Sequence, residues 1–268
     1  MTFRTRFAPS PTGYLHLGHA FSALAAFTAA QRAGGAFLLR IEDIDHTRCR
    51  PEFEAAILED LAWLGISWAE PTLRQSEHLA DYRKALETLR ARGVLYADPN
   101  TRSGQAEAAL SAPQAGDAPR AGGRATAWRL SLSAARSILS DRYDSLAFSD
   151  NGEVRPATPV INGDIILGRK DIGVAYHLAV VVDDARQGIT DVIRGQDLAD
   201  ATHSQVLLQA LLGLPTPRYH HHPLLLDADG RRLAKRRGST SLRDYRRDGL
   251  TALDVKAMLA AAPTTRPA

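Results

Sequence analysis

A chain of 268 residues, 44% hydrophobic and 24% charged, is long enough to bury a substantial core and sits in the ordinary globular range, which excludes a disordered or collagen-like polymer. Its 33 Lys and Arg against 30 Asp and Glu leave a net charge of +3, compatible with a polyanionic partner without demanding one. Cys49 is the only cysteine, so no disulfide framework and no cysteine-based zinc site is expected, and a reducing cytoplasm fits best. Met1 to Arg6 has no apolar signal core, and no run of about 18 apolar residues occurs, so secretion and membrane insertion are not expected.

Thr5-Arg6-Phe7-Ala8 reads as a short strand, and Pro9-Ser10-Pro11-Thr12-Gly13 must turn, because prolines remove ladder donors. Helical spacing of Leu17, Phe21, Leu24 and Phe27 predicts a helix from Leu17 to about Arg32, stopped by Gly34-Gly35. Phe37 to Ile41 reads as a buried strand. Strand, turn, helix and strand open a βαβ unit and imply a doubly wound parallel sheet. Helices are expected at Glu52 to Leu64 and at about His78 to Arg92. Residues 98–126 turn rich in Ala, Gly, Pro, Ser and Gln and read as a mobile insertion. Strands follow at Ala127 to Leu130, Asp164 to Leu167 and Ile189 to Ile193, with a helix at about Thr202 to Leu212 and a disordered tail after Pro263.

His16-Leu17-Gly18-His19 falls where a turn feeds a helix just after the first strand. Free N–H groups and the helix dipole favour an anion there, Gly18 permits close approach, and imidazoles donate to phosphate oxygens. Taken alone, such a tetrapeptide is more often a pair of ordinary histidines at a helix start; the strand-turn-helix setting is what favours a phosphate. Downstream, Asp229 to Gly238 carries Arg231, Arg232, Lys235, Arg236 and Arg237 after an Asp-Gly turn. It reads either as a solvated basic loop or as a loop whose Lys235 neutralises a leaving pyrophosphate. His220-His221-His222 points to alternate faces of an extended segment and cannot easily hold one ion, so it reads as a surface or loop feature. Asp183-Asp184 reads as structural, and Trp63, Trp68 and Trp128 as packing residues.

The run Arg6 to His19 resembles the extended HIGH signature of the glutamyl branch of class I aminoacyl-tRNA synthetases. Arg40 to Asp45, Tyr176 to Asp184 and Val192 to Gly195 resemble further blocks in family order, and Arg232 to Arg236 resembles the KMSKS loop, with Ala234 and Arg236 in place of its serines. The resemblance implies an α/β Rossmann-like doubly wound parallel sheet with a small inserted acceptor-binding subdomain. Residues 1–96 and 171–248 would form the two catalytic halves, 97–170 the insert, and 249–268 a short C-terminal helix and tail.

It also implies ATP, arriving with Mg2+, held by His16, Gly18, His19 and Lys235, with His16, His19 and Lys235 catalytic. Glutamate would be held by Arg6, Phe7, Ala8, Pro9, Ser10, Glu42, Tyr176 and Arg194. Arginine suits a carboxylate and Glu42 an ammonium group, although without the family context Glu42 is equally a loop cap, Tyr176 a core aromatic and Arg194 a strand-end residue. The chain stops soon after the lysine loop and carries Val180 where discriminating members have asparagine. Both features lean toward the short paralogues, which by resemblance activate glutamate without tRNA and attach it to queuosine at the wobble position of tRNA(Asp), and a monomer is expected. Many such paralogues hold zinc by three cysteines and a tyrosine; Tyr96 to Arg102 has no cysteine, so zinc is not expected. The rival readings are a small-acid adenylating ligase of the same HxGH superfamily and a non-catalytic tRNA- or glutamate-binding relative.

Overall fold

The computed structural model describes residues 2–98, 127–170, 173–226 and 240–265. The expected insertion beyond Asp98 and the lysine loop with Lys235 lie outside the described residues. Strand β1 (Arg4–Phe7) pairs in parallel with β2 (Ala36–Ile41), and β2 with β3 (Ala69–Arg74). The crossover from β1 to β2 is helix α1 (Leu17–Arg32), and α2 (Pro51–Trp63) links β2 to β3. After α3 (Leu79–Ala91), strands β4 (Leu95–Asp98) and β5 (Ala127–Leu130) begin a separate antiparallel sheet completed by β8 (Ile166–Gly168). Asp98, expected in a mobile segment, is instead a strand residue paired with Ala127 and bonded to Arg129.

Between β5 and β8 come α4 (Leu132–Leu139), α5 (Asp141–Asp144) and the hairpin of β6 (Ala147–Asp150) with β7 (Glu153–Pro156). Helix α6 (Tyr176–Arg186), strand β9 (Asp191–Gly195), helix α7 (Ala199–Leu212) and strand β10 (Arg218–His222) follow, then α8 (Leu242–Arg247) and α9 (Ala252–Ala261). β10 pairs in parallel with both β9 and β6, so part of the 97–170 segment belongs to the main sheet and not to the insert. β9 lies beside β1, where the Thr190 N–H donates to the Arg4 carbonyl at 2.9 Å. The order β3-β2-β1-β9-β10-β6-β7 is that of two βαβ halves meeting at a switch point between β1 and β9, so the doubly wound expectation holds.

Alternation along β2 explains both faces. Phe37, Leu39 and Ile41 pack with Ala20, Ala23, Ala26 and Ala30 of α1, whose small side chains bring the helix close to the sheet. Leu38 and Arg40 point the other way, Leu38 to a cluster with Val192 and Tyr219. A second large core forms where Leu178, Val181, Leu207, Leu208 and Leu211 of α6 and α7 meet Tyr82 and Leu89 of α3. Each fully buried leucine here contributes ~1.5–3 kcal/mol. The residues after Pro263, expected to be disordered, are partly held: the Thr265 N–H donates to the Leu224 carbonyl at 2.9 Å, and Thr264 bridges Leu225.

Candidate active site

A cavity of about 650 Å3 opens at the C-terminal ends of β1 and β9, the place where doubly wound sheets bind ligands. Arg6, Phe7, Ala8, Ser10, His16, Gly18, His19, Glu42, Tyr176 and Arg194, read from distant parts of the sequence, all line it. Pro9 is the exception among the described candidates. Its carbonyl accepts the Glu42 N–H at 3.0 Å and so fixes the acid from behind. The described residues flanking the lysine loop also end here: Leu225 lines the cavity, and Ser241 bridges His16.

The two motif histidines cap α1. Gly18 N–H donates to His16 Nδ1 at 3.1 Å, and His16 N–H to His19 Nδ1 at 3.2 Å, with the rings 3.8 Å apart. Because each Nδ1 accepts, the proton of each neutral ring sits on Nε2, which makes Nε2 a hydrogen-bond donor at the positive end of a helix. A Cβ on Gly18 would stand 3.0 Å from His16 Cε1 and 3.1 Å from its Nδ1. Gly18 therefore makes room for the capping ring, a closer constraint than the ligand approach expected from sequence.

Arg6 is held by a buried acid. Its Nε and Nη2 donate to Asp184 at 2.9 and 3.3 Å, and Arg40 Nη2 donates to the same carboxylate at 2.6 Å. Burial alone would raise Asp184, but the two guanidiniums outweigh it and hold the carboxyl below its ordinary range. Asp183 turns the other way, accepting from Tyr82 Oη and Gln75 Nε2, so neither acid of this pair faces the cavity. Glu42 does face it, and its nearest cation is Arg40 Nε at 3.6 Å. Burial pushes Glu42 up to about 7 against the opposing pull of Arg40 and Arg6. Tyr176 begins α6, and burial raises its phenol as well.

Arg194 donates through Nε to His221 Nε2 (3.2 Å) and through Nη2 to Thr202 Oγ1 (2.7 Å) and the Leu198 carbonyl (3.2 Å). Nη1 is left buried without a partner. The sequence reading of His220 to His222 as a surface or loop feature is corrected here. The three end strand β10, with His220 on Asp191, His221 buried on Asp150 and His222 facing the cavity, where its Nε2 lies 2.9 Å from Ser22 Oγ. Gly195 was also missed. A Cβ there would come within 2.5 Å of Asp197 Oδ1 and 2.7 Å of Leu224 Cδ2, both residues of the cavity wall.

Residues 2–113 and 140–261 match the family described as tRNA synthetases class I (E and Q), catalytic domain. The chain belongs to that family. A glutamyl-Q tRNA(Asp) synthetase of Rhodobacter capsulatus is 46% identical to it over 95% of this chain and 99% of the relative. A glutamate–tRNA ligase 2 of Acidithiobacillus ferrooxidans is 41% identical over 97% of this chain, which spans 58% of that ligase. Among solved structures, a glutamate tRNA ligase from Elizabethkingia meningosepticum, in complex with its amino acid, superposes with a TM-score of 0.75 at 25% identity; 97% of this chain and 61% of that one are covered. The shared class I architecture agrees with the sheet order and with the position of the cavity. Among the described residues, no group of three or more His, Cys, Asp or Glu is placed to hold a metal ion, and no helix is long and apolar enough to cross a membrane.

Proposed function

We propose that this synthetase-family chain condenses L-glutamate with ATP to give glutamyl-adenylate and pyrophosphate, without needing tRNA, and passes the glutamyl group to the queuosine base of tRNA(Asp). The observation that carries the reading is the pairing, in one cavity, of two clamped arginines with a buried acid beside the doubly capped start of α1. Arg194 Nη1 is a buried donor in want of an acceptor, which a carboxylate supplies; Glu42 is an acceptor without a hydrogen-bond donor among the described residues, which an ammonium group supplies. A ligand with both charges is an amino acid, and a second carboxylate for the second arginine makes it an acidic one.

The His16 and His19 Nε2 hydrogens and the helix terminus then receive phosphate oxygens of ATP, whose magnesium enters with it. The glutamate α-carboxylate attacks the α-phosphorus, the bond to the β-phosphate bridging oxygen breaks, and pyrophosphate leaves. No protein nucleophile is required; positioning and stabilisation of charge carry the step. Lys235 keeps the part its motif gives it, offsetting charge on the departing pyrophosphate. Queuosine as acceptor is supported by the identity with the Rhodobacter glutamyl-Q tRNA(Asp) synthetase across nearly the whole of both chains. Cytoplasmic action as a monomer belongs to the same reading.

ATP–pyrophosphate exchange without tRNA tests it. Exchange is expected with glutamate and not with glutamine or aspartate. Exchange that any small acid supports equally points to a general acid-activating ligase, and tight glutamate binding with no exchange to a binding protein.

A further inference from the structure

Behind Arg194 lies a chain of buried polar groups that does not touch the cavity. Parallel pairing sets Arg194 of β9 beside His221 of β10, and Asp150 at the end of β6 reaches the other side of the imidazole. Asp150, His221 and Thr202 are all buried and none of them lines the cavity. Burying so many polar groups costs stability unless every one is satisfied, so the arrangement calls for a reason.

The proton positions follow from what each atom is able to do. Arg194 Nε has only a hydrogen to give, so His221 Nε2 must accept it at 3.2 Å. The ring proton then sits on Nδ1 and is donated to Asp150 Oδ1 at 3.0 Å. The Thr202 hydroxyl accepts from Arg194 Nη2 and turns its own hydrogen to the same His221 Nε2 at 3.2 Å. Burial and the neighbouring guanidinium hold His221 down to about 4 against the pull of Asp150, so the ring is neutral and its Nε2 lone pair is available. The Tyr219 ring, 5.2 Å from the guanidinium carbon, adds a face against which the plane rests. Every donor of Arg194 except Nη1 is thereby tied to a fixed point.

We propose that His221, kept in its Nδ1–H form by Asp150, is a positioning residue that aims Arg194 Nη1 at a carboxylate of the amino-acid substrate. The inference rests on the glutamate-activating reading above. It separates recognition of the amino acid from that of ATP: loss of the chain tilts the guanidinium and weakens glutamate, while the capped start of α1 is untouched.

The test is glutamate-dependent pyrophosphate exchange with KM determined for each substrate. His221→Leu is expected to raise the glutamate KM about tenfold or more, the worth of a charged hydrogen bond, with the ATP KM within about twofold of wild type. His221→Gln, whose amide oxygen stands near the Nε2 position and accepts from Arg194 Nε, should recover most of that loss. Asp150→Ala is the second variant: Asp150 Oδ1 accepts both the His221 backbone N–H at 3.3 Å and the ring Nδ1–H at 3.0 Å, so its removal leaves the ring free to carry its proton on either nitrogen and loosens the hold on Arg194. It should raise the glutamate KM while leaving the ATP KM near wild type. Equal loss of kcat in the Leu and Gln variants with an unchanged glutamate KM would overturn the positioning role, as would an Asp150→Ala enzyme of wild-type glutamate KM. Absence of exchange in the wild-type protein would instead overturn the functional reading beneath it.

Discussion

Glu42 supplies a pH dependence that follows from its surroundings. The carboxyl is 8% exposed, has no hydrogen-bond donor among the described residues, and lies 3.6 Å from Arg40 Nε. Burial lifts it from the ordinary 4.5 to about 7. Only the ionised form attracts an ammonium group, so the sign is fixed: affinity for the amino acid is full above pH 7 and lost as pH falls through it. With a pKa of about 7, roughly nine in ten Glu42 side chains are ionised at pH 8 and roughly one in ten at pH 6. The glutamate KM in pyrophosphate exchange should therefore rise roughly tenfold from pH 8 to pH 6 while the ATP KM changes little. Glu42→Gln should show a high glutamate KM already at pH 8, about ten- to a hundredfold above wild type, and no slope between pH 6 and 8. A wild-type glutamate KM that stays flat over that range, or a Glu42→Gln enzyme with an unaltered KM, would refute the assignment.

Three further outcomes are expected. Asp60 is fully buried in α2 with neither oxygen hydrogen-bonded, and burial lifts it to about 6 despite Arg246 at 3.5 Å. A raised acid contributes stability below its unfolded pKa and loses it as pH rises through the folded one, so Asp60→Asn should raise the melting temperature at pH 8, by up to about 3 kcal/mol of stability, and matter little near pH 4. Gly18→Ala should displace the His16 ring, whose Cε1 lies 3.0 Å from the new Cβ, and cut the exchange rate about tenfold or more with a melting temperature close to wild type. His19→Ala and Lys235→Ala should each slow exchange about a hundredfold at saturating glutamate while leaving the glutamate KM near wild type, measured by steady-state kinetics.

Local periodicity carried the elements that pack by one face. Helix α1 begins at Leu17 and ends at Arg32 as its spacing and the Gly34-Gly35 stop require, and β2 is legible as a continuous apolar run. Among the elements that escaped are two whose sequences are polar. β3 (AEPTLR) is a largely exposed edge strand containing a proline, and β10 (RYHHH) is stabilised by partners far along the chain, not by its own apolar content. The site divides in the same way. Arg6, Glu42, Tyr176, Arg194 and the two capping histidines stand in recognisable motifs, whereas Asp150, His221 and Asp184 act through pairing across 71, 27 and 178 residues of sequence. Strand register brings Asp150 and His221 to Arg194, and the seating of α6 against β1 and β2 brings Asp184 to Arg6 and Arg40; nothing local to each residue encodes either. The one available signal was the Asp183-Asp184 pair, two acids amid the apolar residues of a helix beside a conspicuous tyrosine, which needed buried cations to be tolerated.

The most direct test of the whole account is transfer of labelled glutamate, in the presence of ATP, to tRNA(Asp) that carries queuosine and to the same tRNA lacking it. The account predicts label on the queuosine-containing tRNA alone, retained after removal of the 3′-terminal adenosine. Label that is lost with that adenosine, or that appears equally on both tRNAs, would contradict it.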